Sequence, residues 1–324
     1  MSSWPVLVFD IETIPDVAGL RALRSADAGL DDAAVYAAEI EERKSRGKSD
    51  FMPLHLQRIL VISCVFRSAD GLRVHSIVDR ESDGCSQEGR VVQSFFRLIE
   101  RHTPQLVSWN GGGFDLPVLH YRGLRHGVVA PKYWDMGEDD REYRWNNYIG
   151  RYHTRHLDLM DLLAMYQPRA SAPLDAMARL CGFPGKLGMD GSQVYGAYLA
   201  GRRNEIRRYC ETDAMNTYLL YCRFQKMRGG FTESEYEREI DLVRRSMVAI
   251  DEPHWAEYLA AWPAEPRPDA GIAAPAEAVV GERGPGHSTR PAPDAAVVAE
   301  VTEVTEITEV TQTTVYIDSS SMRT

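Results

Sequence analysis

The sequence lacks the patterns of secreted, zinc-binding and membrane-spanning proteins. Its five cysteines are widely spread and form no C-x-x-C pair, so neither a disulfide framework nor a structural zinc site is predicted. The first residues, MSSWPVLVFDIET, carry no basic segment ahead of their apolar run, unlike a signal peptide. No stretch approaches the roughly 20 apolar residues that a membrane helix needs. We therefore expect a cytoplasmic protein with reduced cysteines and no membrane association.

The sequence also has no excess of positive charge, because its formal net charge is -10. The negative charge is concentrated near the C-terminus, where the residues from 251 onward carry 13 acidic and 4 basic side chains. Residues 1–250 carry 34 acidic and 33 basic side chains and are nearly neutral. The total charge therefore does not argue against a nucleic-acid partner.

Composition divides the 324 residues into a globular part and a tail. Residues 1–250 are predicted to form one domain with a polar helical insert at about 17–50, followed by a helical extension over 251–263. Residues 301–309 repeat Val/Ile-Thr-Glu with a period of three, which matches neither a strand face nor a helix face. Residues 264–324 are therefore predicted to be a disordered acidic tail. Their β-branched content leaves an added strand or a partner-binding segment as the alternative.

Hydrophobic patterning predicts an α/β fold. The predicted order is three strands, a helix, a strand, a helix, a strand and further helices, which is typical of a mixed sheet flanked by helices. Thr232 and Glu235 form a capping-box pattern at the start of the last long helix. The predicted strands are 5–11, 58–66, 72–78, 105–110 and the start of 156–166. The predicted helices are 88–102, 114–127, 173–181, 192–200, 203–226 and 232–249.

Four carboxylates and one tyrosine lie where these elements begin and end. Asp10 and Glu12 end the first strand-like run and, being two apart, point to one face of a strand. Asp115 opens a helix after three glycines, and Tyr209 and Asp213 are one helical turn apart. If the fold brings them together, they form an acidic pocket for two hard divalent ions, which prefer oxygen ligands. Such pockets cleave phosphodiester bonds.

Each of these three groups of residues also has an ordinary structural explanation. An Asp-x-Glu pair at a strand end is often solvated charge or a cap for the next turn. Asp115 could cap the helix that it opens, and Tyr209 with Asp213 could lie on a helix surface. The joint presence of all three pieces, in this order and with these flanks, favours a catalytic site.

The flanking residues resemble a known superfamily. The segments VFDIETIPD, WNGGGFDLPVL and YCETDAMNTYLLY resemble the three motifs of the DnaQ-like DEDD 3′–5′ exonucleases. Tyr209, four before the last aspartate, is typical of the DEDDy branch; the DEDDh branch would have histidine where Arg208 stands. HLDLMDLL and GFPGKLGMDGSQV further resemble the predicted exonuclease family related to the proofreading domain of family B DNA polymerases. The resemblance covers about residues 5–227.

The resemblance implies an RNase H-like fold and cleavage at 3′ ends with two Mg²⁺ or Mn²⁺ ions. It implies that Asp10, Glu12 and Asp213 bind the first metal, with Asp10 shared by the second. Asp115 would act through a metal-bound water, and Tyr209 would orient the attacking water by a hydrogen bond. The expected substrate-binding residues are Thr13, Asn110, Phe114 and Lys186.

Several further candidate site residues have two possible interpretations each. Asn110 could reach the terminal nucleotide or only form a turn, and Lys186 could contact a phosphate or be a solvated surface lysine. Asp158 and Asp161 could enlarge the acidic cluster, although a helix-capping role is favoured for Asp161. The stretch 143–156 interleaves aromatics with Arg and His, as in single-strand binding surfaces, but it could equally be a packed hairpin.

The predicted function is metal-dependent 3′–5′ exonuclease activity on single-stranded DNA, releasing nucleoside monophosphates. One alternative is an exoribonuclease of the same fold, which would differ by contacts to the 2′ position of the sugar. The other is a nucleic-acid-binding module without turnover. The sequence does not identify a protein partner.

Overall fold

The computed structural model describes residues 5–24, 29–81, 86–250 and 252–263. The predicted disordered tail, 264–324, lies outside the described residues. Among the described helices, none combines the length and apolar character that a membrane span would require.

A five-stranded mixed sheet forms the centre of the fold. In chain order the strands are β1 (Val6–Pro15), β2 (Gln57–Ser68), β3 (Gly71–Val78), β4 (Gln105–Ser108) and β5 (His156–Asp158). Their spatial order is β3-β2-β1-β4-β5. The β1–β2 and β2–β3 pairs are antiparallel, whereas β1–β4 and β4–β5 are parallel. This arrangement confirms the predicted α/β fold and has the mixed sheet of the RNase H-like fold that the resemblance implies.

Strand β1 is longer than its sequence predicts. The prediction ended it at residue 11, but it continues to Pro15. Asp10 pairs with Ser63 and Glu12 with Val61 of β2, and the register shifts between Glu12 and Thr13. Pairing along β2 keeps these polar residues in extended backbone, so both carboxylates project from the middle of a central strand.

Eleven α-helices surround the sheet in the described ranges. Helices α1 and α2 lie in the range predicted as a helical insert, and α11 lies in the range predicted as an extension. The capping box of Thr232 and Glu235 at the start of α10 is confirmed. The helices are α1 (Val17–Leu23), α2 (Asp32–Ser45), α3 (Glu88–His102), α4 (Asp115–His126), α5 (Pro131–Trp134), α6 (Leu159–Leu163), α7 (Leu174–Leu180), α8 (Val194–Leu199), α9 (Arg203–Met227), α10 (Glu233–Ala249) and α11 (Pro253–Ala261).

The two faces of β1 pack against different helices. Val6 and Val8 belong to a core cluster with residues of α7, α9, α10 and α11. Leu7 and Phe9 belong to a second cluster with residues of α3 and α4. Because successive side chains of a strand point to opposite faces, Asp10 has the same orientation as Val6 and Val8. The alternation of β1 therefore directs its acidic residues toward α9.

Helix α9 is buried along most of its 25 residues. The sheet lies on one side of it, and α7, α8 and α10 cover other sides. Polar residues in its middle, including Tyr209 and Asp213, are consequently buried together with the apolar ones. A buried acid needs a compensating charge or hydrogen bond, so this part of α9 is where a binding site is expected.

Candidate active site

A glycine turn carries Asp115 from the other layer of the fold to β1. After β4 ends, Asn110 takes a left-handed conformation with φ of 67°, and its carbonyl accepts the amides of Gly113 and Phe114, both at 3.0 Å. A Cβ at Gly113 would collide with the Asn110 side chain. The glycine thus leaves room for the Asn110 side chain in its present position, and the turn ends with Asp115 as the first residue of α4.

The four predicted carboxylates come together beside β1. Glu12, Asp115 and Asp213 are buried, with 8%, 5% and 4% of their surface exposed, and Asp10 is half-buried. The Asp115 carboxylate accepts a hydrogen bond from the backbone amide of Ile11, between the two acidic residues of β1. The predicted residues from three distant segments therefore share one pocket, and Asp115 is not used as a helix cap.

The proximity of these carboxylates changes their protonation. Burial, with repulsion from Asp115 and Asp213, raises the pKa of Asp10, and burial with repulsion from Asp10 raises the pKa of Glu12. Burial is also the main reason why the pKa of Asp115 is raised to about 7 and that of Asp213 is raised. Negative charge in this pocket is thus under-compensated by protein groups alone.

Lys186 supplies the cation closest to Asp213. Its ammonium lies 2.9 Å from Asp213 Oδ2 and also donates a hydrogen bond to the Tyr209 hydroxyl. Lys186 keeps 29% of its side-chain surface exposed, compared with 5% for Asp213. Burial and the neighbouring carboxylates raise the pKa of Tyr209, so its hydroxyl stays protonated.

The residues present fit a divalent ion. The Oδ1 atom of Asp213 is buried and makes no hydrogen bond within the part of the chain that the structure describes. Ligand atoms of Asp10 and Glu12 lie within 4.8 Å of one another in a group that also contains the Cys210 sulfur. Carboxylate oxygens with a free lone pair and raised pKa values are suitable ligands for a hard cation.

Cys210 was not identified from the sequence. Its thiol lies 3.3 Å from the carbonyl oxygen of Asp10 and 3.5 Å from Asp10 Oδ2. Burial, together with the charge of Asp10, raises its pKa, so it is a neutral thiol that donates to Asp10 and helps to orient it. Only its position between Tyr209 and Asp213 in the sequence could have suggested this role.

The predicted substrate-binding residues surround the carboxylates with different contacts. The Thr13 hydroxyl donates to Gln57 Oε1 at 2.9 Å, and Phe114 is the residue before Asp115 and contacts the ring of Phe51. Asn110 forms the turn described above. Lys186 is not a solvated surface lysine, because its ammonium lies in the carboxylate pocket.

The helix-capping role favoured for Asp161 is wrong. The cap of α6 is Asp158, which accepts from the amide of Asp161 at 3.2 Å, because β5 ends and the helix begins one residue after Asp158. Asp158 also accepts the amides of Asn110 and Gly112 at 2.9 and 2.8 Å, and so holds the glycine turn. Asp161 instead forms an ion pair with Arg151.

The aromatic stretch 143–156 divides between packing and exposure. Tyr143 and Tyr148 are each 2% exposed, whereas Trp145 and Tyr152 are 80% and 71% exposed. Arg155 lies over the Tyr143 ring, 4.2 Å from its centroid. Two of these aromatic side chains thus belong to the core, and the other two are exposed.

Two clefts border the site. One, of about 500 Å³, is lined by Asn110, Gly113 and Asp158 on the side of the glycine turn. The other, of about 610 Å³, is lined by Tyr209 and Thr212 of α9. Both have room for a nucleotide-sized group.

Comparison with known proteins agrees with this geometry. The model of a family described as predicted 3′–5′ exonuclease related to the exonuclease domain of PolB matches residues 49–262. This range includes Asp115, Tyr209 and Asp213, whereas Asp10 and Glu12 precede it. A DNA polymerase from Archaeoglobus fulgidus is 23% identical over 177 residues, which cover 50% of this chain and 22% of the polymerase. Since the family model spans more than half of the sequence, the chain belongs to the family of predicted 3′–5′ exonucleases related to the exonuclease domain of PolB.

Proposed function

We propose that this protein removes nucleoside monophosphates from the 3′ end of single-stranded DNA by hydrolysis that depends on two divalent ions, Mg²⁺ or Mn²⁺. The observation that carries the proposal is the convergence of Asp10, Glu12, Asp115 and Asp213 in one buried pocket. Four carboxylates with raised pKa values and a buried, unpaired oxygen on Asp213 favour metal binding over a purely structural cluster.

Asp10, Glu12 and Asp213 would hold the ions, and Asp115 would complete the set of acidic groups. When bound, two such ions activate water and neutralise charge on the phosphate and the leaving oxygen. The Tyr209 hydroxyl, kept protonated by its raised pKa, cannot act as a base near neutral pH. It instead donates a hydrogen bond that orients the attacking water.

Lys186 connects two of these groups. Its ammonium contacts both Asp213 and the Tyr209 hydroxyl, and so it holds the tyrosine in a fixed position. When the carboxylates are occupied by metal ions, the same ammonium is available to a substrate phosphate, to which lysine binds as a point charge.

DNA is proposed as the substrate because the matched relative is a DNA polymerase. An exoribonuclease of the same fold would use the same acidic residues and would differ by its contacts to the 2′-hydroxyl. A binding module without turnover is disfavoured, since all four carboxylates and the tyrosine are present in the pocket.

The test uses single-stranded DNA and RNA of equal sequence, labelled at the 3′ or the 5′ end, with Mg²⁺ or Mn²⁺. We expect stepwise loss of nucleotides from the 3′ end of DNA. Cleavage of RNA alone would replace DNA by RNA in the proposal, and binding without cleavage of either would favour the non-catalytic module.

Asp10→Ala should abolish cleavage, because it removes the carboxylate that both ions are proposed to share. Asp241→Ala is the matched control, since Asp241 is exposed and forms an ion pair with Arg245 on the surface of α10. Near-normal cleavage by Asp10→Ala would show that the active site has been assigned to the wrong residues.

A further inference from the structure

An exposed phenylalanine lies next to the proposed substrate site. Phe51 keeps 58% of its surface exposed, and its ring centroid is 5.7 Å from that of Phe114 with an angle of 51° between the planes. Phe114 directly precedes Asp115. Phe51 therefore extends the aromatic surface that borders the carboxylates, although it comes from a different part of the chain.

The backbone around Phe51 is held in place by polar contacts. Arg43 of α2 donates to the carbonyl oxygens of Ser49 and Phe51 at 2.9 and 2.8 Å. The next residue, Met52, is 2% exposed and packs in a core cluster with α1 and α2. The segment thus buries Met52 and presents the Phe51 ring to solvent in a defined position.

A second chain of contacts connects this segment to the carboxylate strand. The Gln57 side-chain amide donates to the Met52 carbonyl oxygen at 3.0 Å, and its Oε1 accepts from the Thr13 hydroxyl at 2.9 Å. Thr13 follows Glu12 in β1. Phe51 is thereby fixed relative to both Asp115, through Phe114, and Glu12, through Gln57 and Thr13.

An exposed cation precedes Phe51 by three residues. Residues 43–48, RKSRGK, contain four basic side chains, and three of these form ion pairs with neighbouring acidic residues. Lys48 is exposed, and its ammonium forms no ion pair with any residue that the structure describes. An aromatic ring for stacking and a nearby cation for the backbone are the combination by which proteins bind single-stranded nucleic acids.

We propose that Phe51 stacks on one of the last two bases of the strand whose 3′ end enters the carboxylate pocket, beside Phe114. This inference rests on the proposed function, because it assumes a nucleic-acid strand in that pocket. Under this proposal, the segment around Phe51 helps to hold the nucleic-acid strand. Phe51 does not reach the reacting atoms and is a positioning residue.

The test compares wild type with Phe51→Ala and Phe51→Trp in digestion of short single-stranded DNA. Stacking on one aromatic ring contributes enough that its loss should raise KM about fivefold or more while kcat changes little. Phe51→Trp should keep a wild-type KM. Leu124→Ala, on the exposed part of α4 with 83% of Leu124 exposed, is the matched control for loss of a surface apolar side chain.

Direct binding separates this inference from the proposed function. An oligonucleotide with 2-aminopurine at either of its last two positions is titrated with protein in EDTA, where no cleavage is expected. Fluorescence quenching that is lost in Phe51→Ala and kept in Phe51→Trp would support the stacking contact, even if the wild type cleaved nothing and the proposed function fell. Unchanged KM and quenching in Phe51→Ala, or effects of that size in Trp145→Ala instead, would overturn the inference.

Discussion

Replacing Lys186 by methionine should destabilise the metal-free protein and should do so much less when divalent ions are present. Lys186 is the only cation within ion-pair distance of Asp213 among the described residues, and the other Asp213 oxygen is already without a partner. Lys186→Met would therefore leave a buried carboxylate with no compensating charge, which is strongly unfavourable.

The size of the effect follows from burial. Breaking a buried ion pair by removing one partner costs about 3–5 kcal/mol, and we take the lower end because Lys186 is 29% exposed. A loss of about 3 kcal/mol lowers the melting temperature of a domain of this size by about 6–12 °C. A divalent ion bound by Asp213 replaces the missing positive charge, so the difference between the two proteins should shrink as Mn²⁺ is added.

The assay is thermal unfolding of both proteins at about pH 8, above the pKa of about 7 of Asp115, in EDTA and in Mn²⁺. Lys226→Met is the control, because the Lys226–Glu233 pair is at the surface, with 31% and 63% of the side chains exposed, and should contribute at most about 1 kcal/mol. The interpretation of Lys186 as the compensating cation would be refuted if Lys186→Met melted like Lys226→Met in EDTA. A large difference that persists unchanged in Mn²⁺ would refute the metal-binding role of Asp213.

Two further predictions concern Tyr209 and Asp115. Tyr209→Phe should lower kcat about 100-fold, which is the effect of removing one well-placed hydrogen-bond donor, and should leave the Mn²⁺ affinity measured by calorimetry unchanged. The control is Tyr221→Phe, because the Tyr221 hydroxyl contacts Gln105. Equal losses of kcat in both variants would contradict the role assigned to Tyr209. Because the pKa of Asp115 is raised from 3.8 to about 7 in the folded state, its protonated form stabilises the metal-free protein below about pH 4, and this contribution is lost as the pH rises through about 7. The melting temperature of Asp115→Asn relative to wild type in EDTA should therefore rise over this range, and a difference that does not depend on pH would be evidence against the raised pKa.

Local patterns were sufficient to predict most secondary structure and the acidic residues themselves. Asp10 and Glu12 could be assigned to one strand face from their spacing, and Tyr209 and Asp213 to one helix face, because these periodicities are local properties of the backbone. The capping box of Thr232 was recognisable for the same reason. The cap of α6 was misplaced, since Asp158 and Asp161 both suit a cap and only the end of β5 decides between them.

Contacts between distant segments were beyond such patterns. No spacing indicates that Cys210 donates to Asp10 across 200 positions, or that the Phe51 ring contacts Phe114. Nor could the sequence decide whether Lys186 was a solvated lysine or a neighbour of Asp213, because this depends on how the loop before α8 packs against α9.

By itself, then, the sequence determined the identity and local geometry of the catalytic candidates, since strand and helix periods depend on neighbouring residues. The tertiary structure decided what surrounds them. The parallel pairing of β1 with β4 brings Asp115 beside Ile11, and the packing of α9 on β1 brings Asp213 to the same pocket. Burial in that pocket is what raises the pKa values of the four carboxylates, and burial is a property of the whole fold.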